Sequence, residues 1–168
     1  MDASALYKFS SGLYVVSADD GERPGACIVN TGLQVTSTPY QVSVTVNKDN
    51  FTCGVISRAG HFSLAVVDES ADMLFVGRFG FRTSAEEDKY DGIASATAST
   101  GDPYPTEHAC SYVACKVVQT VDVGTHLTFV GEVVDAGNLS SVAPMTYAYY
   151  HGTLKGKTPP KASSYVGA

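Results

Sequence analysis

The chain has 168 residues, of which 44% are hydrophobic and 17% charged, with sixteen glycines and a formal net charge of −6. That length suits one domain, residues 1–168, with a core that needs no staples, and the composition excludes disorder in favour of a globular fold rich in strands and turns. The acidic excess, with eleven scattered Lys and Arg, excludes a nucleic-acid or anionic-membrane surface, and no apolar run approaches a membrane span.

In chain order, Asp2 or Ser4 caps a short opening helix that runs to Phe9. A strand follows over 12–18, Asp19-Asp20-Gly21 gives a hairpin turn, and 24–31 returns antiparallel. Residues 42–47 alternate apolar with polar at period two, which marks a half-buried strand. Asn50 or Thr52 caps a helix toward Arg58 that Gly60 ends, and 61–67 is a further strand. Ser70 caps a second helix through Val76, followed by a glycine-containing loop over 77–84. Residues 84–105, acidic and then small and proline-bearing, read as a surface excursion. Two long strands, 109–123 and 125–136, form a hairpin around Asp122-Val-Gly124. A last strand over 145–151 leads into an extended basic arm with Lys155, Lys157 and Lys161. Six or seven strands with short helices predict a mainly β, closed or nearly closed antiparallel barrel, which removes exposed sheet edges.

Met1 is not followed by a secretory leader, so the cytoplasm is the expected location. Cys27, Cys53, Cys110 and Cys115 are expected as free thiols. Cys110 and Cys115 are too far apart for a Cys-x-x-Cys pair, and the four histidines lack paired spacing, so no metal site is expected. Gly156-Lys-Thr158 echoes a phosphate loop, but the glycine that such a loop requires is His151 here, and Pro159-Pro160 blocks the helix that must follow. The informative stretch is 30–52, where amides and hydroxyls surround Val42, Val44 and Val46. Such a supply of neutral hydrogen-bonding groups suits a polar, flat, anionic ligand.

These residues carry a resemblance. Gly25-x-x-x-x-Asn30-Thr, Gln34-x-Thr36-x-x-Pro39, Asn47-Lys-Asp-Asn-Phe-Thr52, Gly77-Arg-Phe-Gly-Phe-Arg82, Gly124-Thr-His-x-x-Phe-x-Gly-Glu-Val133 and Thr146-Tyr-x-Tyr-Tyr occur in order along almost the whole chain. Together they resemble the flavin reductase-like family of FMN-binding split barrels, and within it flavoredoxins and the flavin domain of high-molecular-weight rubredoxins. The resemblance implies an antiparallel, Greek-key split β-barrel with short peripheral helices, a homodimer, noncovalent FMN, and NADH or NADPH as electron donor. It also implies a flavin or redox-protein acceptor.

On that likeness Asn30, Gln34 and Thr36, with Val35 and Asn47, serve the flavin ring, whose carbonyl and N–H edge needs short amide and hydroxyl partners. Lys48, Asn50 and Thr52 serve the FMN phosphate at the start of a helix, where free N–H groups and the helix dipole favour an anion, and Phe51 lies against the ligand. Phe79 and Arg82 form a lid. His126 stands near the flavin or the incoming nicotinamide, to bond an amide or assist a proton, with Tyr147 and His151 as weaker candidates. Taken alone, Asn30, Gln34 and Thr36 also read as a polar turn, Asn50 and Thr52 as simple caps, Phe79 as a core anchor and His126 as a surface histidine. The functional readings are an NAD(P)H-dependent flavin reductase, an FMN electron carrier without a nicotinamide site, or a barrel that has lost its flavin.

Overall fold

The computed structural model describes residues 1–165. A seven-stranded antiparallel sheet forms its body, built from β1 (Tyr14–Ala18), β2 (Gly25–Val29), β3 (Leu33–Ser37), β4 (Tyr40–Asn47), β5 (His61–Val67), β8 (Ala109–Asp122) and β9 (His126–Asn138). Their order is β2-β1-β5-β8-β9-β4-β3. The sheet therefore curls without closing, and its two outer strands, β2 and β3, are not paired to each other. A two-stranded hairpin, β6 (Ser95–Thr97) and β7 (Pro103–Pro105), lies outside it.

Three α-helices decorate the sheet, α1 (Phe51–Ala59), α2 (Met73–Phe81) and α3 (Tyr147–Gly152), and the expected opening helix is a 3-10 helix over Ala3–Lys8 capped by Asp2. The sequence marks α1 clearly. Asn50 caps it by accepting a hydrogen bond from the Thr52 N–H, and Gly60 ends it in the left-handed region at φ 72°, where glycine carries no Cβ penalty. Thr52, Cys53, Val55 and Ile56 are its buried face. Cys53, Val55 and Ile56 share one core with Val42, Val44 and Val46 of β4 and with Val16, Phe62, Cys115 and Phe129. A second core lies beneath α2, where Val15, Ala65, Val67, Phe75, Val76, Phe79 and Tyr104 meet. Successive residues Val15 and Val16 thus serve different cores, as the two-residue period of a strand requires. At Gly131 the backbone approaches so closely that a Cβ would stand 2.6 Å from Cys115 Cβ and 2.9 Å from Phe62 Cε1.

Several expected elements fall differently. The second helix begins at Met73 and is capped by Asp72, whose Oδ1 accepts from the N–H groups of Leu74 and Phe75. Ser70 does not cap it, because its hydroxyl donates to Asp68 Oδ1 at 2.6 Å. Gly77 and Gly80 remain inside the helix rather than in a loop, since burial of Phe75, Val76 and Phe79 outweighs glycine's weak helix propensity. The strand expected over 145–151 is instead α3. Thr146 Oγ1 accepts from the Tyr149 N–H at 3.0 Å, which turns the chain helical at once. β3 is an additional edge strand, bulged between Gln34 and Thr36.

The excursion over 84–105 is anchored rather than superficial. Ser84, Lys89, Ala98, Asp102 and Tyr104 are buried. Lys89 Nζ donates to the carbonyls of Ala26 and Phe79 at 2.8 and 2.9 Å, and Ser84 Oγ accepts from the Ala26 N–H. Asp102 accepts from the Asp19 N–H and from Thr100 Oγ1, and meets His61 Nδ1 at 2.9 Å. A buried carboxylate needs such company.

Candidate functional site

At the end of the sheet where β2 and β4 finish, a cleft opens between β2, β4, the start of α1, the second half of α2 and the segment after α3. About 580 Å³ of space lies within it, open solvent included. One wall is apolar, with Ile28, Val29, Val76, Gly80 and Phe81. Other lining groups are polar. Antiparallel pairing sets Asn47 of β4 directly opposite His126 of β9, and both line the cleft together with Asn30 and Asn50. Four of the residues singled out in the sequence therefore meet in one place although they are separated by up to 96 positions, from Asn30 to His126.

The chain itself engages these groups. Asn47 Nδ2 donates to the Lys161 carbonyl at 3.1 Å, and His126 Nε2 lies 3.2 Å from the same oxygen. His126 Nδ1 meets Thr125 Oγ1 at 2.8 Å. Asn30 Nδ2 reaches Ser164 Oγ at 2.9 Å. Asn50 has a second role as the cap of α1, and at this helix start the N–H groups of Asn50, Thr52 and Cys53 are all engaged, with Asn47 O, Asn50 Oδ1 and Asn50 O respectively.

The other candidates lie elsewhere. Gln34, Val35 and Thr36 are on the edge strand β3, where Gln34 Nε2 donates to the Thr36 carbonyl at 3.3 Å; they do not line the cleft. Lys48 Nζ contacts both carboxylate oxygens of Asp122 at 2.7 Å, at the tip of the β8–β9 hairpin. That ion pair holds the Asp122 carboxyl below its ordinary range. Phe51 is half-buried against the core that α1 covers. Thr52 Oγ1 is fully buried without a well-formed hydrogen bond, beside the Cys27 thiol, which burial pushes up to about 11. Phe79 is wholly inside, its ring 5.0 Å from Phe75 and 5.3 Å from Tyr90. Helical spacing turns Phe79 inward and leaves Phe81, two residues on, half exposed on the cleft. Arg82 ends α2 and pairs with Glu87 at 3.0 Å. Arg78 donates to the Asp91 carbonyl.

Tyr147, a weaker candidate in the sequence, lines the cleft from α3. The sequence reading missed the rest of this wall, formed by Tyr150 of α3 and by Lys157, Pro159, Lys161 and Ser163 after it. A local knot fixes the start of this segment. Gly156 N–H donates to Tyr150 O, His151 Nδ1 meets Gly156 O at 2.8 Å, and Tyr147 OH meets Thr158 Oγ1 at 2.6 Å. Gly156 has to be glycine here, because a Cβ would stand 2.0 Å from Tyr150 Cζ. The crowding of Tyr147, Tyr149, Tyr150 and His151 just before Gly156 was the available signal. Among the described residues no group of three or more His, Cys, Asp or Glu side chains is placed to hold a metal.

An open antiparallel sheet, split at the β2 and β3 edges and carrying a cleft lined by apolar and amide-bearing side chains, defines a split-barrel binding domain. The family model described as the flavin reductase like domain matches residues 6–158, and the chain belongs to that family. It is 46% identical over 165 residues to a ferric-chelate reductase (NAD(P)H) of Archaeoglobus fulgidus, covering 98% of both chains. It is 38% identical to a high molecular weight rubredoxin of Moorella thermoacetica, over 99% of this chain and 72% of that protein. Among solved structures, the NADH:FAD oxidoreductase SgcE6 of Streptomyces globisporus shares the fold at a TM-score of 0.77 and 21% identity, covering 84% of each chain.

The residues present fit a flavin. Its ring has a carbonyl and N–H edge that amides can meet from one side, while its faces suit an apolar wall. Asn30 and Asn47 are amides that line the cleft, and Phe81 and Tyr147 are aromatic side chains that line it with them.

Proposed function

We propose that the chain is an NAD(P)H-dependent flavin reductase that holds FMN in this cleft. The observation that carries the reading is the convergence of Asn30, Asn47, Asn50 and His126 on one cleft in a chain that aligns over 98% of its length with a ferric-chelate reductase. Bound FMN supplies the two-electron chemistry; the chain's own residues bind, orient and shield it. Asn30 and Asn47 bond the ring edge. Asn50 and Lys48 attend the phosphate, with Lys48 exchanging part of its pairing with Asp122 for the new anion. His126, at the mouth, bonds the incoming nicotinamide amide or moves a proton. No Rossmann fingerprint is needed where a nicotinamide stacks on the flavin itself.

The acceptor, on the likeness to the archaeal reductase, is a ferric chelate or free flavin. A redox-protein acceptor is the second reading, supported by the likeness to the rubredoxin-linked protein. The protein works as a homodimer, a reading supported by Leu33, Val35 and Tyr40, which leave an exposed apolar face on the β3–β4 edge. It works in the cytoplasm, in keeping with four unpaired thiols. Among the described residues no helix is long and apolar enough to cross a membrane.

Anaerobic mixing of the FMN-loaded protein with NADH and with NADPH tests the reading. Bleaching of the flavin band by either nucleotide is the expected result. A flavin that stays oxidised with both would make the protein a carrier reduced by a partner, and failure to take up FMN at all would remove the flavin reading.

A further inference from the structure

We propose that residues 159–165 form a strap that competes with the flavin for the cleft, so that flavin entry requires the strap to lift. The proposal rests on the flavin-binding reading above and adds to it a gate within the same chain.

The polar groups best placed for the ring edge are those that the strap engages. The Lys161 carbonyl accepts from Asn47 Nδ2 at 3.1 Å and lies 3.2 Å from His126 Nε2. Asn30 is held on both atoms of its amide, with Nδ2 donating to Ser164 Oγ at 2.9 Å and Oδ1 accepting from Ser163 Oγ at 3.3 Å. A hydrogen given to the strap cannot at the same time serve a ring carbonyl, and at Asn30 the second amide hydrogen already faces Ser11 Oγ at 3.5 Å. The strap mimics the ligand by presenting a carbonyl and hydroxyls where the ring would present its own edge.

The attachment is lopsided, as a gate requires. Upstream, the knot at 147–158 is tight, with Gly156 buried against Tyr150 and Thr158 bonded to Tyr147 and His151. Downstream of Pro159-Pro160, no residue from 159 to 165 is buried. The strap is therefore held by hydrogen bonds and by one exposed ion pair, Lys161 with Asp49 at 3.6 Å, which solvent screens. Its internal bonds are two turns, Ala162 N–H to Pro159 O and Tyr165 N–H to Ala162 O, each 3.0 Å. Pro159, Ala162 and Ser164 are half-buried and the other strap residues are exposed. The two prolines stiffen the chain between the fixed knot and the loosely held strap, which makes the whole strap swing as a unit.

The experiment uses the full chain first. Limited trypsin digestion, followed by mass of the fragments, reads cleavage after Lys161 with and without saturating FMN. FMN is expected to speed that cleavage at least about threefold, because it frees the strap. A second variant, Pro159→stop, keeps the knot and removes the strap; its FMN dissociation constant, read by flavin fluorescence quenching, is expected to be about tenfold lower than that of the full chain. Protection of Lys161 by FMN, or FMN binding weakened or unchanged in Pro159→stop, would overturn the strap as competitor while leaving the flavin reading intact. If neither form takes up FMN, the flavin reading falls, and the strap with it. Should Pro159→stop fail to fold by circular dichroism, the digestion of the full chain decides alone.

Discussion

Asn50 offers the sharpest separation of fold from function, because one side chain caps α1 and faces the cleft. In Asn50→Ala the Thr52 N–H loses its partner at 3.0 Å, and loss of such a cap costs about 1 kcal/mol. Asn50→Asp keeps the cap, since Asp ranks with Asn at this position, and adds a negative charge at the cleft. If the FMN phosphate sits about 6 Å from that carboxylate, Coulomb's law at an effective dielectric near 20 gives roughly 3 kcal/mol per unit charge. Screening at the cleft mouth reduces this to about 1–2 kcal/mol, or roughly a five- to thirtyfold loss of affinity. Urea denaturation reads the first effect and fluorescence quenching of added FMN the second. The expected pattern is a destabilised Ala variant and a stable Asp variant that binds FMN more weakly than either. An Asp variant that binds FMN as tightly as the unaltered protein would refute a phosphate at the start of α1.

Further outcomes follow from other sites. Gly131→Ala should destabilise the fold by about 1–3 kcal/mol through overpacking, because its Cβ would stand 2.6 Å from Cys115 Cβ; a urea midpoint within error of the unaltered protein would contradict that contact. Raising the pH should weaken the fold in the window from about 9 to about 12. Burial raises the Cys27 thiol from 9.0 to about 11 and Cys115 to about 12, so the unfolded chain loses these protons first and stability falls as pH climbs. Cys27→Ala should flatten part of that slope. Lys89→Met should cost about 1–3 kcal/mol by taking the ammonium donor from the Phe79 carbonyl and leaving the Ala26 carbonyl only the Ser84 hydroxyl at 3.3 Å; thermal unfolding checks it. In His126→Gln, FMN affinity should hold within about twofold while the rate of flavin reduction by NADH falls roughly tenfold or more, and an unchanged rate in stopped flow would remove His126 from nicotinamide handling.

Local chemistry made parts of the fold readable. Asn50 and Gly60 bracket α1 with residue types that few other environments demand, and the alternation at Val42, Val44 and Val46 has one reading as a half-buried strand. α2 was harder, because Ser70 and Asp72 are both good caps and only tertiary structure shows that Asp68 already holds the serine. The site was half readable for a similar reason. Asn47 and His126 are brought together by β4–β9 register, and their chemistry marks them in sequence. The Phe79 and Phe81 choice depends on helix phase, which two glycines in the segment obscured. Gln34 and Thr36 look like ligand groups by type, yet they sit on the edge strand β3 and do not line this cleft.

The grip of Ser84 and Lys89 on Ala26 bears on how the molecule survives in solution. β2 is an outer strand, and an outer strand normally offers its free N–H and C=O groups to any passing chain. At Ala26 both groups are already taken, one by a hydroxyl and the other by a buried ammonium. Two side chains thus stand in for the missing neighbour strand, and the ammonium charge would have to be stranded before another backbone could dock there. The barrel can stay split, with its cleft open to ligand, without that opening becoming a seed for sheet-to-sheet aggregation. Lys89→Met, assayed for aggregation at rest rather than for unfolding, should form sheet-rich particles while the fold itself persists.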